Sequence, residues 1–167
     1  GVILVGAAIS VFSLFQFLFS PILGRLSDKY GRRPVLMVTS ILNALSYLLI
    51  FVWHDLWIIF LARTIAGIGS ANISVAQAYI ADTSENHERT KKMGLFGAAF
   101  GLGFIVGPVI GGLTSGVFSL SAPFLVPALL SLINAVLIYF ILPESNKALQ
   151  QHIKIEFFNM KVTREVM

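Results

Sequence analysis

The side chains of this chain that could do chemistry are few, and they fall at three places. The first is the stretch Gly24-Arg-Leu-Ser-Asp28-Lys-Tyr-Gly31-Arg32-Arg33-Pro34. Asp28 and Arg32 are four residues apart, so one helical turn would bring their charges together. The plain alternative is a solvated turn between two apolar segments, where such a pair contributes little. Gly24 and Gly31 admit backbone angles closed to other residues, which suits a tight turn. The second place is Arg63, the only charge inside a long apolar run. An intramembrane arginine marks a functional site by default. Its alternative is to snorkel to an interface about 10 Å away, at 1.5 Å per residue. With a 3.6-residue period, Ser70, Ser74 and Gln77 fall within about 40° of Arg63. That face is expected to line an aqueous cavity, with Asn72 and Tyr79 turned toward a neighbouring helix. The third place is Gln16, which shares a helix face with Ser13 and Ser20. It is suited either to a substrate or to a simple interhelical hydrogen bond.

Other chemistries have no residues to serve them. There is no cysteine, hence no thiolate nucleophile or thiolate metal site. His54, His87 and His152 lie far apart and have no metal-ligand spacing. No nucleophile–base constellation and no phosphate-binding Gly-x-x-x-x-Gly-Lys-Ser/Thr run is present. Neither an enzyme nor a cofactor is expected. The net charge of +4 is modest, and its one-sided distribution points to a membrane rather than to nucleic acid.

The elements that must hold these residues are membrane helices. Apolar residues make up 56% of the chain and charged residues 12%, half the usual share of about 25%. Five runs approach the ~20 residues that cross a bilayer: 2–23, 34–53, 56–81, 93–113 and 123–142. Pro34 and Pro123 suit first turns of helices. Trp53 and Trp57 flank the minimal turn His54–Asp55, as an interfacial belt would. In the third run, Ala62, Ala66, Ser70, Ser74 and Ala78 recur every fourth residue and form a small-residue stripe. Residues 82–92 read as a polar loop with a short surface helix. Asp82 and Glu85 are spaced for a capping box, and Glu85/Arg89 and Glu88/Lys92 for ion pairs. Eight glycines between Gly94 and Gly116 make the fourth run a poor helix in water. In a bilayer they make a close-packing surface, expected to meet the small stripe of the third run.

Five spans alternate the loops between two sides. Arg25, Lys29, Arg32, Arg33, Arg89, Lys91, Lys92, Lys147, Lys154, Lys161 and Arg164 all fall on one side, and the opposite loops carry no Lys or Arg. The positive-inside rule makes that side cytoplasmic, with the 24–34 and 82–92 loops and the tail. The tail from Glu144 is polar, with Ile153, Phe157 and Met160 spaced to lie on the membrane surface. The chain opens at Gly1 inside an apolar run with no signal peptide visible, and is read as part of a longer protein. Pro21-Ile-Leu-Gly24 and Pro108-Val-Ile-Gly111 sit on helices of opposite direction, as in an inverted repeat.

These motifs together resemble the major facilitator superfamily. Gly24 to Leu36 resembles the signature loop between its second and third helices. Arg63-Thr-Ile-Ala-Gly67-Ile-Gly69 resembles its fourth-helix motif. Gly103-Phe-Ile-Val-Gly107-Pro108-Val-Ile-Gly111-Gly112 resembles the fifth-helix motif of its drug–proton antiporters. Ala78-Tyr-Ile-Ala-Asp82-Thr, Glu88-Arg89 and Leu142-Pro-Glu-Ser145 are similar to tetracycline-efflux transporters. The resemblance implies an all-α membrane bundle. Residues 1–145 would be helices two to six of an incomplete N-terminal six-helix half, and 146–167 the start of the cytoplasmic linker. The first helix and the C-terminal half would complete the protein. The implied activity is secondary transport in a plasma or inner membrane, exporting a drug or small amphiphilic metabolite against protons. Uptake of a sugar or other nutrient, or a non-transporting scaffold or receptor, are the alternatives. Gly24, Asp28, Gly31, Arg32 and Arg33 would latch the two halves. Arg63, Ser70, Ser74, Gln77 and Gln16 would serve the substrate or proton pathway. Gly103, Gly107, Pro108, Gly111 and Gly112 would pack helices. One departure stands out: Ser46 precedes Tyr47 where tetracycline exporters carry an acid, and no Asp or Glu lies inside the five runs.

Overall fold

A computed structural model describes residues 2–119 and 121–146; the expected surface segment of the tail lies outside them. The elements are α1 (Val2–Tyr30), α2 (Arg32–Val52), α3 (Leu56–Ser70), α4 (Ile73–Thr83), α5 (Asn86–Val117) and α6 (Ala122–Ile141). With α3 and α4 in line, they give five helical spans long and apolar enough to cross a membrane. Their outer surface carries large apolar side chains such as Phe104, Phe140 and Ile141, exposed as a lipid-facing surface requires.

The charged stretch at 24–34 differs from the expected turn. Residues 25–30 hold no glycine or proline, so α1 runs through them to Tyr30, nine residues past Pro21. Gly24 is helical and needs no special freedom. The turn is a single residue, Gly31, whose φ of 108° is closed to most side chains. Its N–H still donates to the Ser27 carbonyl, and α2 begins at the next residue. Pro34 lies in the first turn of α2, where its missing N–H costs nothing.

The 82–92 segment differs too. Asp82 lies in the last turn of α4, which Thr83 closes, and Ser84–Glu85 is the whole connection. The expected surface helix is the first part of α5, continuous with the span. The Asp82/Glu85 capping box does not form, because Asp82 turns to Arg32 instead. Glu88 does pair with Lys92 at 2.8 Å, while Glu85 lies 3.5 Å from His87 Nδ1 rather than on Arg89.

Packing centres on α2, which lies against α3 and α6, while α1 lies against α3. Leu23, Leu36, Ala71, Val75 and Ile138 form the buried apolar cluster. Ala62 and Ala66 of the small stripe are buried as well. Lipid tails are as apolar as leucine, so helices associate by close approach rather than by escape from water. Gly67 and Gly69 give the closest approach. A Cβ on Gly67 would stand 2.5 Å from the Phe12 carbonyl oxygen, and one on Gly69 2.6 Å from Asn43 Oδ1.

The glycine ladder of α5 does not meet the third span. No described residue of α5 is buried, and a Cβ on Gly103, Gly107, Gly111 or Gly112 would meet nothing within 4 Å. The reason is placement: α1 and α2 already occupy the small-residue face of α3, and α5 leans lightly on α4 and α6. Pro108 lies inside α5.

Candidate functional site

The third span is not one regular helix. It breaks at Ala71–Asn72, between the end of α3 and the start of α4. The Ala71 N–H reaches back to the Gly67 and Ile68 carbonyls, and regular bonding resumes with Ala76 N–H on the Asn72 carbonyl. In a membrane interior such a break needs side chains to satisfy the freed groups. Of the contacts that neighbouring helices make there, one reaches the backbone and the others join side chains. Gln16 Nε2 of α1 donates to the Ser70 carbonyl at 3.3 Å. Asn72 Nδ2 donates to Thr39 Oγ1 of α2 at 2.9 Å, and Ser70 Oγ donates to Asn43 Oδ1 at 3.3 Å. Ser20 and Ser74 share a bond at 3.4 Å. No buried side-chain polar atom among the described residues lacks a partner.

Beside this break lies a cavity of about 390 Å³. It is lined by Ser13, Gln16, Ser20, Ser70, Ser74 and Gln77, with Phe17, Ala71 and Ile73 as its apolar wall. It joins the polar face of α1 to Ser70, Ser74 and Gln77 of the third span. The composition suits an amphiphile: apolar contact with a few polar groups to fix orientation.

Arg63 is not part of that cavity. It stands about two turns before the break, and lines a pocket of about 160 Å³ with Ile50, His54, Ile59, Ser121 and Phe124. Among the described residues no carboxylate lies within ion-pair distance of it. The single helix face drawn from the sequence is thus divided between two pockets.

At the opposite, basic end of the bundle an ionic cluster ties four elements. Arg32 has a side chain only 12% exposed, and it bonds Asp28 of α1 at 2.7 Å and Asp82 of α4 at 3.2 Å. It also donates to Ser27 Oγ. Glu144, just after α6, accepts the backbone N–H groups of Arg32 at 2.8 Å and Arg33 at 3.1 Å. A carboxylate there satisfies orphan donors and complements the helix dipole. A Cβ on Gly31 would overlap Glu144, so the glycine is required for space as well as for φ. Ser145 Oγ adds a 3.4 Å contact to Asp82, and Asn146 Nδ2 donates to the Asp28 carbonyl at 2.7 Å. Arg33 donates to the Tyr139 carbonyl and lies over that ring, 5.5 Å from its centroid.

Sequence reasoning passed over several of these residues. Thr39, Ser40 and Asn43 repeat at three- and four-residue spacing in an apolar run, a signal for a polar seam on α2. Ser40 accepts Asn134 Nδ2 of α6 at 3.0 Å. Ser46, at the departure from the tetracycline exporters, is fully buried and donates to the Asn43 carbonyl at 2.7 Å. Glu144 had no local signal, since its partners are more than a hundred residues away.

This architecture is that of a polytopic membrane protein, an all-α bundle with a half-polar cavity beside the interruption in its third span. The family model of the Major Facilitator Superfamily matches residues 1–162, and the chain belongs to that superfamily. It is therefore an integral membrane protein of a family of transporters, not of enzymes. It is 41% identical over 154 residues to the class C tetracycline resistance protein of Escherichia coli, covering 92% of this chain and 39% of that one. It is 34% identical to multidrug resistance protein 2 of Bacillus subtilis, covering 88% and 37%. A crystal structure of a human organic anion transporter matches with a TM-score of 0.75 and 33% identity, over 84% of this chain and 32% of that one. The chain thus spans less than two fifths of the length of these relatives.

Proposed function

We propose that the protein containing this chain is a secondary active transporter. It exports a small amphiphilic organic molecule in exchange for protons, by alternating access in a plasma membrane. The observation that carries this reading is the cavity between α1 and the broken third span, with its amide and hydroxyl lining inside the membrane. Resistance proteins for tetracycline and for multiple drugs among the relatives favour export over nutrient uptake. The buried Ser46, in place of an acid, favours an amphiphile other than tetracycline. The basic end is cytoplasmic in this reading, by the positive-inside rule. There the Asp28–Arg32–Asp82 cluster, with Gly24, Gly31 and Arg33 around it, latches this half against the other. The open glycine face of α5, with Gly103, Gly107, Pro108, Gly111 and Gly112, takes a helix from the rest of the protein. Arg63, in its own pocket, belongs to the proton pathway.

The test is efflux from proteoliposomes holding the full-length protein and a panel of fluorescent amphiphiles. Uphill movement that requires an imposed pH gradient is expected. Efflux that persists after the gradient is collapsed overturns proton coupling, and inward accumulation under the same gradient overturns export. Single cysteines replacing Lys29 and Ser119 should label from opposite faces, Lys29 from the cytoplasm; labelling of both from one face overturns the orientation.

A further inference from the structure

Where α2 begins and where α6 ends, each helix is finished by a side chain from the other. The cap of α2 is Gly31, which has no side chain to serve the first turn. Four backbone donors lack a helical partner at such an end. The Gly31 N–H goes to the Ser27 carbonyl, and Pro34 has no N–H. The remaining two, on Arg32 and Arg33, go one to each oxygen of Glu144, at 2.8 and 3.1 Å. At the end of α6, the Tyr139 carbonyl would take the N–H of the residue four further on, but that residue is Pro143. The Arg33 guanidinium donates to this carbonyl instead. Negative charge thus stands at the N-terminus of α2 and positive charge at the C-terminus of α6, each where the helix dipole favours it.

The corner between α1 and α2 is one residue, Gly31, at a φ of 108°. A glycine corner by itself leaves the first turn of α2 free to swing. Arg32 sits on that turn, and its side chain must reach both Asp28 of α1 and Asp82 of α4. Glu144 holds the backbone of the same arginine, from 112 residues away in the chain. The next two residues continue the strap: Ser145 contacts Asp82, and Asn146 donates to the Asp28 carbonyl. The three residues after Pro143 therefore reach α2, α4 and α1 in turn.

We propose that Glu144 is a positioning residue for Arg32: it caps α2 from beyond the end of α6 and so holds Arg32 between Asp28 and Asp82. The proposal rests on the latch reading given above and adds a residue to it. It makes the segment that leaves α6 part of the latch, so that this segment and the ionic cluster move as one body.

Two measurements on the full-length protein test it. The first is amide hydrogen exchange at Arg32 and Arg33 in nanodiscs, which needs no transport. First-turn amides ordinarily exchange readily, for want of a partner. Here both are expected to be slow. Glu144→Gln keeps the shape, removes the charge and should speed them about tenfold. Exchange that Glu144→Gln leaves unchanged, or that is already fast in the wild type, overturns the cap. Where Glu144→Gln does not accumulate, the wild-type rates decide.

The second is efflux of the fluorescent panel from proteoliposomes, at equal abundance, for Glu144→Gln, Arg32→Gln and the double variant. Glu144→Gln should lower turnover about fivefold or more while KM stays within about twofold. A residue that acts through Arg32 adds nothing once Arg32 is gone. The double variant is therefore expected within about twofold of Arg32→Gln alone. Losses that multiply show Glu144 acting by itself and overturn the positioning role, as does turnover that Glu144→Gln leaves unchanged. Absence of efflux from the wild type overturns the transport reading and the latch with it, while the exchange comparison still decides the cap.

Discussion

Two glycine-bearing regions of this molecule behave in opposite ways. The third span has two glycines, Gly67 and Gly69, and both are pressed against other helices. The span formed by α5 has eight, and along the described helix none has a neighbour within 4 Å of where a Cβ would stand. Glycine number therefore says little about closeness of packing. What matters is whether another backbone lies opposite. At Gly67 it is the backbone of α1, and at Gly69 the Thr39 carbonyl and Asn43 side chain of α2. These contacts hold the broken span, and so the cavity, in place. Helix α5 stands beside the site rather than in it.

The same substitution placed in the two regions should therefore give different results. Gly67→Leu has the largest expected effect. Its Cβ would overlap the Phe12 carbonyl at 2.5 Å, and backbone cannot yield as a flexible side chain can. Overpacking of this kind costs about 3 kcal/mol or more. The full-length protein should fail to accumulate in the membrane, and wild-type abundance would show that α1 and α3 are not in contact. Asp82→Asn comes next. It removes a charged partner from the nearly buried Arg32 and loosens the end of the third span, at about 1.5–3 kcal/mol. A fall of several degrees in the thermal midpoint is expected; an unchanged midpoint would detach α4 from the cluster.

Asp28→Asn should affect stability less. Asp28 is 63% exposed, and an exposed pair contributes at most about 1 kcal/mol. Its effect on turnover tests the latch separately. A loss of 1.4 kcal/mol from one state is a tenfold shift in a two-state population. Efflux within twofold of wild type at equal abundance would leave Asp28 as a helix-end residue and no more. Gly107→Ala has the smallest expected effect. With open space around it, the added methyl meets nothing in this half, and the helix gains up to about 1 kcal/mol in propensity. A thermal midpoint equal to or above wild type is expected. A marked loss would mean that another helix of the full protein lies closely on that face.

The ionic cluster shows why part of the site was legible in advance and part was not. Asp28 and Arg32 are four residues apart, so their pairing follows from local helical geometry and was readable from the sequence. Asp82 and Glu144 reach the same arginine and its backbone from 50 and 112 residues away. The sequence reading gave Asp82 a local role as a helix cap. It could not weigh a partner brought in by folding. The helix break had the same cause. Ser70-Ala71-Asn72 contains no proline, and a polar or small residue in a membrane helix has no local reason to break it. At the break Gln16 donates to the Ser70 carbonyl, while the side chains of Asn72 and Ser70 bond those of Thr39 and Asn43.

What the sequence determined alone was whatever depends on length, periodicity and charge. The five spans follow from apolar run length against bilayer thickness, and the shared face of Ser70, Ser74 and Gln77 from helical period. Tertiary structure decided the rest: that α1 continues through the charged stretch to Gly31, that Arg63 and Gln16 occupy separate pockets, and that Gly67 and Gly69 rather than the α5 ladder take the close contacts. In a membrane no hydrophobic gradient tells a helix which face to bury. Facing is settled only when backbones approach and polar groups find partners, and those contacts come from distant parts of the chain.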